Sequence, residues 1–162
     1  MPRTAPRAVL FCLLIATMVA MMGALSAQTE IKMRRDTLIL HTASGDHRID
    51  IEVAESDREQ QRGLMFRQSL GDNEGMLFPY PTPREITMWM RNTFIPLDMI
   101  FIRGDGIIHR IATDTEPFSE TIIPSQGEAT AVLEMKAGSA RRLGLKAGDR
   151  VEYKHFKPAA KP

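Results

Sequence analysis

From Thr37 onward the apolar residues come in short runs, interrupted by glycine, proline or charged breaks roughly every ten residues, a punctuation that suits strands better than long helices. Leu38 and Leu40 alternate with Thr37, Ile39 and His41, and Ile49, Ile51 and Val53 alternate with Asp50 and Glu52. Ser44-Gly45-Asp46 between them predicts a β-hairpin. The register then changes. Ser56-Asp57-Arg58-Glu59 has the form of a capping box, so a short helix is expected to run to Arg62, with Gly63 as its left-handed stop. Met76-Leu77-Phe78 predicts a strand ended by Pro79, Pro81 and Pro83, and Ile86 to Met90 predicts another. Leu97 to Ile102 and Ile107 to Ile111 flank Gly104-Asp105-Gly106, a hairpin signal. Thr113 to Gln126 is polar and broken by proline, hence an expected long excursion. Ala129 to Met135 predicts a strand, Ser139 to Leu143 a short helix stopped by Gly144, and Val151 to His155 a last strand entered through Gly148-Asp149. About eight short strands and two short helices predict a mainly β domain, a sandwich or barrel rather than a βαβ fold.

The N-terminus does not belong to that domain. Arg3 and Arg7 precede an apolar run from Ala8 to Ala24, and Ala24-Leu25-Ser26 supplies a small-x-small cleavage pattern. Residues 1–27 are therefore expected to be a secretory signal, the chain's one link to a membrane, and the mature protein to reach the periplasm or the exterior. Beyond it the expectation is a polar lead-in over 28–36, one β-rich domain over 37–156 and a flexible tail over 157–162. The only cysteine, Cys12, falls within the leader, so the exported chain holds together by packing without a disulfide. About 135 residues suffice for one such core. Without Arg3 and Arg7 the chain carries 19 basic and 20 acidic residues, a net charge of −1, which argues against nucleic acid as a partner.

The segment from Arg62 to Arg103 holds five methionines and the only tryptophan. Its RGLMFR, EGMLF, MWMRNT and IPLD, followed by LEMKAGSARRLGLKAGD, resemble the family known as domain of unknown function 192 over about Ile49 to Tyr153. That resemblance implies a jelly-roll-like β-sandwich. It implies no reaction and no residue roles. Arg62, Arg67, Trp89, Asn92 and Asp98 match the family's motifs position by position.

Several chemistries can be weighed on residue types alone. Met65, Met76, Met88, Met90 and Met99 offer soft thioethers that suit Cu(I), yet no M-x-x-M or His-Met cluster accompanies them, and methionine more often fills a core or lines a groove. Zinc spacings, a G-x-S-x-G elbow and the G-x-G-x-x-G or Walker patterns are missing from the sequence, so no cofactor or metal is expected. Among the carboxylates, Glu74, Asp98 and Glu134 stand out. Asp98 could equally tie down a loop, and alternation puts Glu134 on the sheet face opposite Leu133. Two of the three facing one cleft would permit hydrolysis of envelope material. Arg62 and Arg67 offer forked donors for an anion, and Trp89 beside Asn92 offers an apolar platform with an amide. Arg62 could instead neutralise Asp98, and Asn92-Thr93 could close a turn. The expected function is binding of a small molecule, glycan or peptide in a methionine- and tryptophan-lined groove by Arg62, Arg67, Trp89, Asn92, Asp98 and Glu134. Hydrolysis and soft-metal binding are the alternatives.

Overall fold

The computed structural model describes residues 31–157. The expected leader and all but the first residue of the tail lie outside the described residues. Among the described residues no helix is long and apolar enough to cross a membrane.

Seven strands form one sheet: β1 (Arg34–Thr42), β2 (Gly45–Val53), β3 (Glu74–Met88), β4 (Leu97–Ile102), β5 (Ile108–Thr115), β6 (Ile123–Lys136) and β7 (Arg150–Glu152). Two short helices, α1 (Asp57–Arg62) and α2 (Ser139–Leu143), complete the mainly β architecture. The strand order is β5-β4-β6-β3-β2-β1-β7. Ile107, just before β5, bridges to Arg150 of β7, and the amides of Ile108 and Val151 donate to the carbonyls of Asp149 and Gly106. The two edges of the sheet thus meet at one bridge, which curls it on itself.

The hairpin β1–β2 forms around Gly45 as its alternation predicts, but β1 begins at Arg34, so the polar lead-in ends earlier than Asp36. Ser56 caps α1 by accepting from the Glu59 amide, while the Glu59 carboxylate accepts from the Ser56 amide. α2 spans Ser139–Leu143 and stops at a left-handed Gly144. Four expectations need correction. The last strand, expected over Val151 to His155, ends at Glu152. The strands proposed around Met76–Phe78 and Ile86–Met90 are one bent strand, because the prolines fall where the β3–β6 register shifts, between Pro79 and Arg84, and no ladder bond is lost to them. The excursion expected over 113–126 shrinks to 116–122, since polar residues at both its ends pair within β5 and β6. Finally, β2 and β3 are parallel, joined through α1 in a single βαβ crossover that a purely antiparallel reading does not anticipate.

Burial on two sides is the main consequence of this topology. Leu77, Leu133 and Ile100 align across β3, β6 and β4 and join Leu38, Leu40, Ile49 and Ile51 in the interior of the curl. The opposite face aligns Phe78, Val132 and Phe101, and one step on Met76, Glu134 and Met99. That face is covered by α1 and by the loops after α1, β3 and β5. Gln60 of α1 donates to the carbonyls of Ala54 and Pro79 at 3.2 and 3.0 Å. Backbone bonds join the loops to one another: Phe66 N–H to Asn92 O, Met90 N–H to Ser119 O and Phe118 N–H to Thr93 O. Phe66, Phe94 and Phe118 stack in sequence, with centroids 6.0 and 5.3 Å apart. All seven residues from Ala129 to Met135 are buried as a result.

Two substitutions check this arrangement. Ser56→Ala is expected to cost about 0.5–2 kcal/mol through loss of the capping box, read as a lower urea midpoint. Ile100→Ala, at a fully buried position, is expected to cost about 2–5 kcal/mol; a loss within error of zero would place β4 at the surface.

Candidate functional site

Beneath α1 lies a cavity of about 250 Å³ between the helix, the loop that follows it and the outer face of the sheet. Its position follows from local sequence. The capping box starts α1 at Asp57, and Gly63 ends it at φ 45° and ψ −138°, a glycine conformation that differs from the left-handed stop expected there and that a side chain would resist. A Cβ at Gly63 would also lie 3.1 Å from the Phe78 ring, so the chain passes tightly over the cavity wall. Gln60, Arg62 and Met65 line one side, Phe78 and Tyr80 of β3 another, and Met88, Trp89 and Glu134 the rest.

Glu134 sets the chemistry of this space. Its register partners on both sides are methionines, Met76 in β3 and Met99 in β4, both wholly buried. Among the described residues nothing makes an ion pair or hydrogen bond with its carboxyl. Burial pushes that carboxyl up to about 8. A carboxyl taken out of water without a cation or donor stays protonated, so at neutral pH Glu134 is a neutral acid with a proton to donate. Burial likewise raises the Tyr80 phenol, while Arg84, whose guanidinium lies 4.3 Å from the Tyr80 ring centre, pulls it back in part.

Three of the six residues singled out from sequence come together at the cavity: Arg62, Trp89 and Glu134. Arg62 is exposed and stacks on Phe66 at 4.7 Å rather than neutralising Asp98. Trp89 is 43% exposed, with the Arg91 guanidinium 5.0 Å from its ring, so it stands on the rim and not in the core. The other three lie elsewhere. Arg67 pairs with Glu52 in the wall of a second, more charged cavity of about 420 Å³, which Glu74 also lines. Asn92 occupies the third position of the turn Met90–Thr93 with φ 54°, a conformation asparagine tolerates, and its amide only grazes the Met65 sulfur at 4.0 Å. Asp98 is fully buried on the opposite face of the sheet, its oxygens accepting from the backbone amides of Asp114 and Ala140 at 2.9 and 2.8 Å. It ties β4 to β5 and to the start of α2.

The carboxylates Glu74, Asp98 and Glu134 therefore share no cleft; the second carboxylate on the Glu134 cavity is Asp57, at the exposed start of α1. The methionines are also dispersed. Met65 and Met88 line the cavity, whereas Met76, Met90 and Met99 are wholly buried and Met90 accepts from the Thr115 hydroxyl at 3.1 Å. No group of three histidine, cysteine or acidic side chains suited to a metal exists among the described residues. Gln60 and Tyr80 were not singled out from sequence. Tyr80, set among prolines in FPYPTP, carried the one usable signal, a bulky polar aromatic at a break in a strand.

Residues 39–153 match the family described as "Uncharacterized ACR", domain of unknown function 192. The chain belongs to that family. No curated protein matches it. A solved structure of a candidate transcription regulator from Sinorhizobium meliloti 1021 is 40% identical, with a TM-score of 0.76 over 78% of this chain and 99% of that one. A protein of unknown function from Novosphingobium aromaticivorans DSM 12444 is 42% identical, with a TM-score of 0.74 over 79% of this chain and 91% of that one. The domain of unknown function 192 thus brings a shared fold without a reaction attached to it.

Two outcomes follow from the placement of these acids. Since Glu134 titrates higher folded than unfolded, its contribution is fully favourable below its ordinary value near 4.5 and is lost as pH rises towards about 8. Stability should fall over that window by up to about 1.4 kcal/mol per pH unit from this group, and Glu134→Gln should remove the slope. Urea melts of both proteins across the window check this; parallel profiles would contradict it. Asp98→Ala leaves the buried Ala140 amide and the part-buried Asp114 amide without acceptors and should cost about 1–3 kcal/mol or more, measured in the same way.

Proposed function

We propose that this domain is a non-catalytic binding module that holds a small molecule in the cavity beneath α1, and that it works after export across a membrane. One observation carries the proposal: Glu134 is a buried acid without a partner, facing a cavity whose rim is an exposed tryptophan. Buried polar groups in proteins are paired as a rule, so an unpaired one inside a cavity supports a ligand as its missing partner. At about 250 Å³ the space lies below the usual range for drug-sized ligands, which favours a small molecule, or one residue of a glycan or peptide, over an extended chain. Export is supported by the basic, apolar and small-residue order of the first 27 residues.

Hydrolysis gains no support from the three carboxylates considered for it, which lie in different parts of the fold. A regulatory role on nucleic acid, suggested by the description of the Sinorhizobium protein, is not favoured by a mature charge of −1.

Trp89 is the only tryptophan, so its emission reports on the cavity rim without any label. A panel of small acids, amines, sugars and short peptides, followed by Trp89 fluorescence and by thermal melting, tests the proposal. A ligand of this cavity is expected to change the emission and raise the melting temperature together. Compounds that raise the melting temperature but leave the emission unchanged would put the binding site elsewhere.

A further inference from the structure

The balance of donors and acceptors around the cavity indicates what kind of molecule it takes, on the premise that the cavity is a binding site. Gln60 has already spent its amide N–H groups on the carbonyls of Ala54 and Pro79. Arg62 makes no ion pair among the described residues; its guanidinium rests on Phe66 with its N–H groups unspent. The Glu134 carboxyl, with Met76 and Met99 as its register neighbours, has no hydrogen-bond or ion-pair partner among the described residues, and burial favours its protonated form. Arg62 and Glu134 thus offer donors, one cationic and one neutral, while Asp57 and Gln61, both exposed on α1, also border the space. The sheet and loop walls carry Met65, Met88, Phe78 and Trp89, with Tyr80, Thr87 and Thr93 among them.

A cationic ligand fits this arrangement poorly. It could pair with Glu134 only by ionising it, and it would meet the Arg62 charge on the way in, whereas an anion meets a cation and a neutral donor. The other charged groups nearby do not reverse this. Asp57 is exposed at the start of α1, Arg84 is stacked on Tyr80, and Arg91 is paired with Glu120 beyond Trp89. The Tyr80 phenol, the remaining titratable group close to Glu134, is raised and therefore also a neutral donor.

We propose that the cavity takes a small organic carboxylate, whose oxygens accept hydrogen bonds from the Arg62 guanidinium and from the Glu134 carboxyl while its apolar body lies against Trp89, Met65 and Met88. Binding is then coupled to a proton. When Glu134 ionises, a donor becomes a second negative charge facing the ligand, and the carboxylate is expelled.

Phenylacetate, phenylacetamide and phenethylamine share one apolar body and differ in the charge of the head, so they serve as probes. Binding to the mature domain, measured by calorimetry and Trp89 emission, is expected for phenylacetate in preference to the amine. Its affinity should drop at least about tenfold on raising the pH from well below to well above 8. Arg62→Ala should weaken phenylacetate by a similar factor. Glu134→Gln keeps an N–H donor at the same place and should bind phenylacetate with the same affinity on both sides of that pH. Preferential binding of the amine or the amide would overturn the carboxylate assignment while leaving the cavity as a binding site. A wild-type affinity that does not change with pH would overturn the role of Glu134. Failure of all three probes at millimolar concentration would count against the carboxylate and against the cavity as a site.

Discussion

Burial of β6 on both faces is the constraint on which the rest of this structure depends. A strand in an antiparallel sheet ordinarily shows one face to water and can place a charged residue there at no cost. Here the segment from Ala129 to Met135 has no such face. Its odd-numbered side chains enter the interior of the curl, Val132 and Glu134 lie beneath α1 and the loops after α1, β3 and β5, and Thr130 lies against the β4–β5 turn at Gly104. An acid at position 134 must therefore be neutral, paired or matched by a ligand. It is flanked only by thioethers, so the protein supplies no pairing itself.

The covering layer is held at some conformational expense. Phe66 and Phe118 adopt positive φ, a region that costs a bulky residue about 1–2 kcal/mol, whereas Asn92 tolerates it. Backbone bonds between these same loops and the stacking of Phe66, Phe94 and Phe118 offset that cost. Strain kept in this way tends to gather where a protein does its work, and these turns border the cavity that holds Glu134. Asp98 serves the opposite face, where its two amide contacts fix β4 against β5 and α2.

Much of this was legible in the sequence wherever one local signal decided the outcome. The alternation in β1 and β2, the capping box at Ser56, the strand from Leu97 to Ile102 and the glycine stop after α2 each appear in the structure at the expected residues. Signals that depend on a partner strand were misread. The prolines of β3 look like a terminator until β6 is seen to shift register opposite them, and the polar ends of β5 and β6 look like loop until they pair. The same distinction runs through the site. Alternation alone placed Glu134 opposite Leu133, but its isolation comes from Met76 and Met99 on two other strands. Arg67 and Asp98 resembled site residues because they are charged and lie in the family's motifs, whereas their partners, Glu52 and two backbone amides, are distant in sequence. The likeness to two solved structures extends the fold across relatives, and a fold by itself carries no function.

The most direct measurement is the ionisation of Glu134 itself, followed through the side-chain carboxyl carbon by NMR in the protein with selectively labelled glutamate and with Glu134→Gln to assign the signal. A neutral carboxyl at pH 7 that titrates near 8 is the expected result. Titration near the ordinary value of 4.5 would mean that water or an unseen partner reaches the acid, and the cavity beneath α1 would lose the feature that marks it as a binding site.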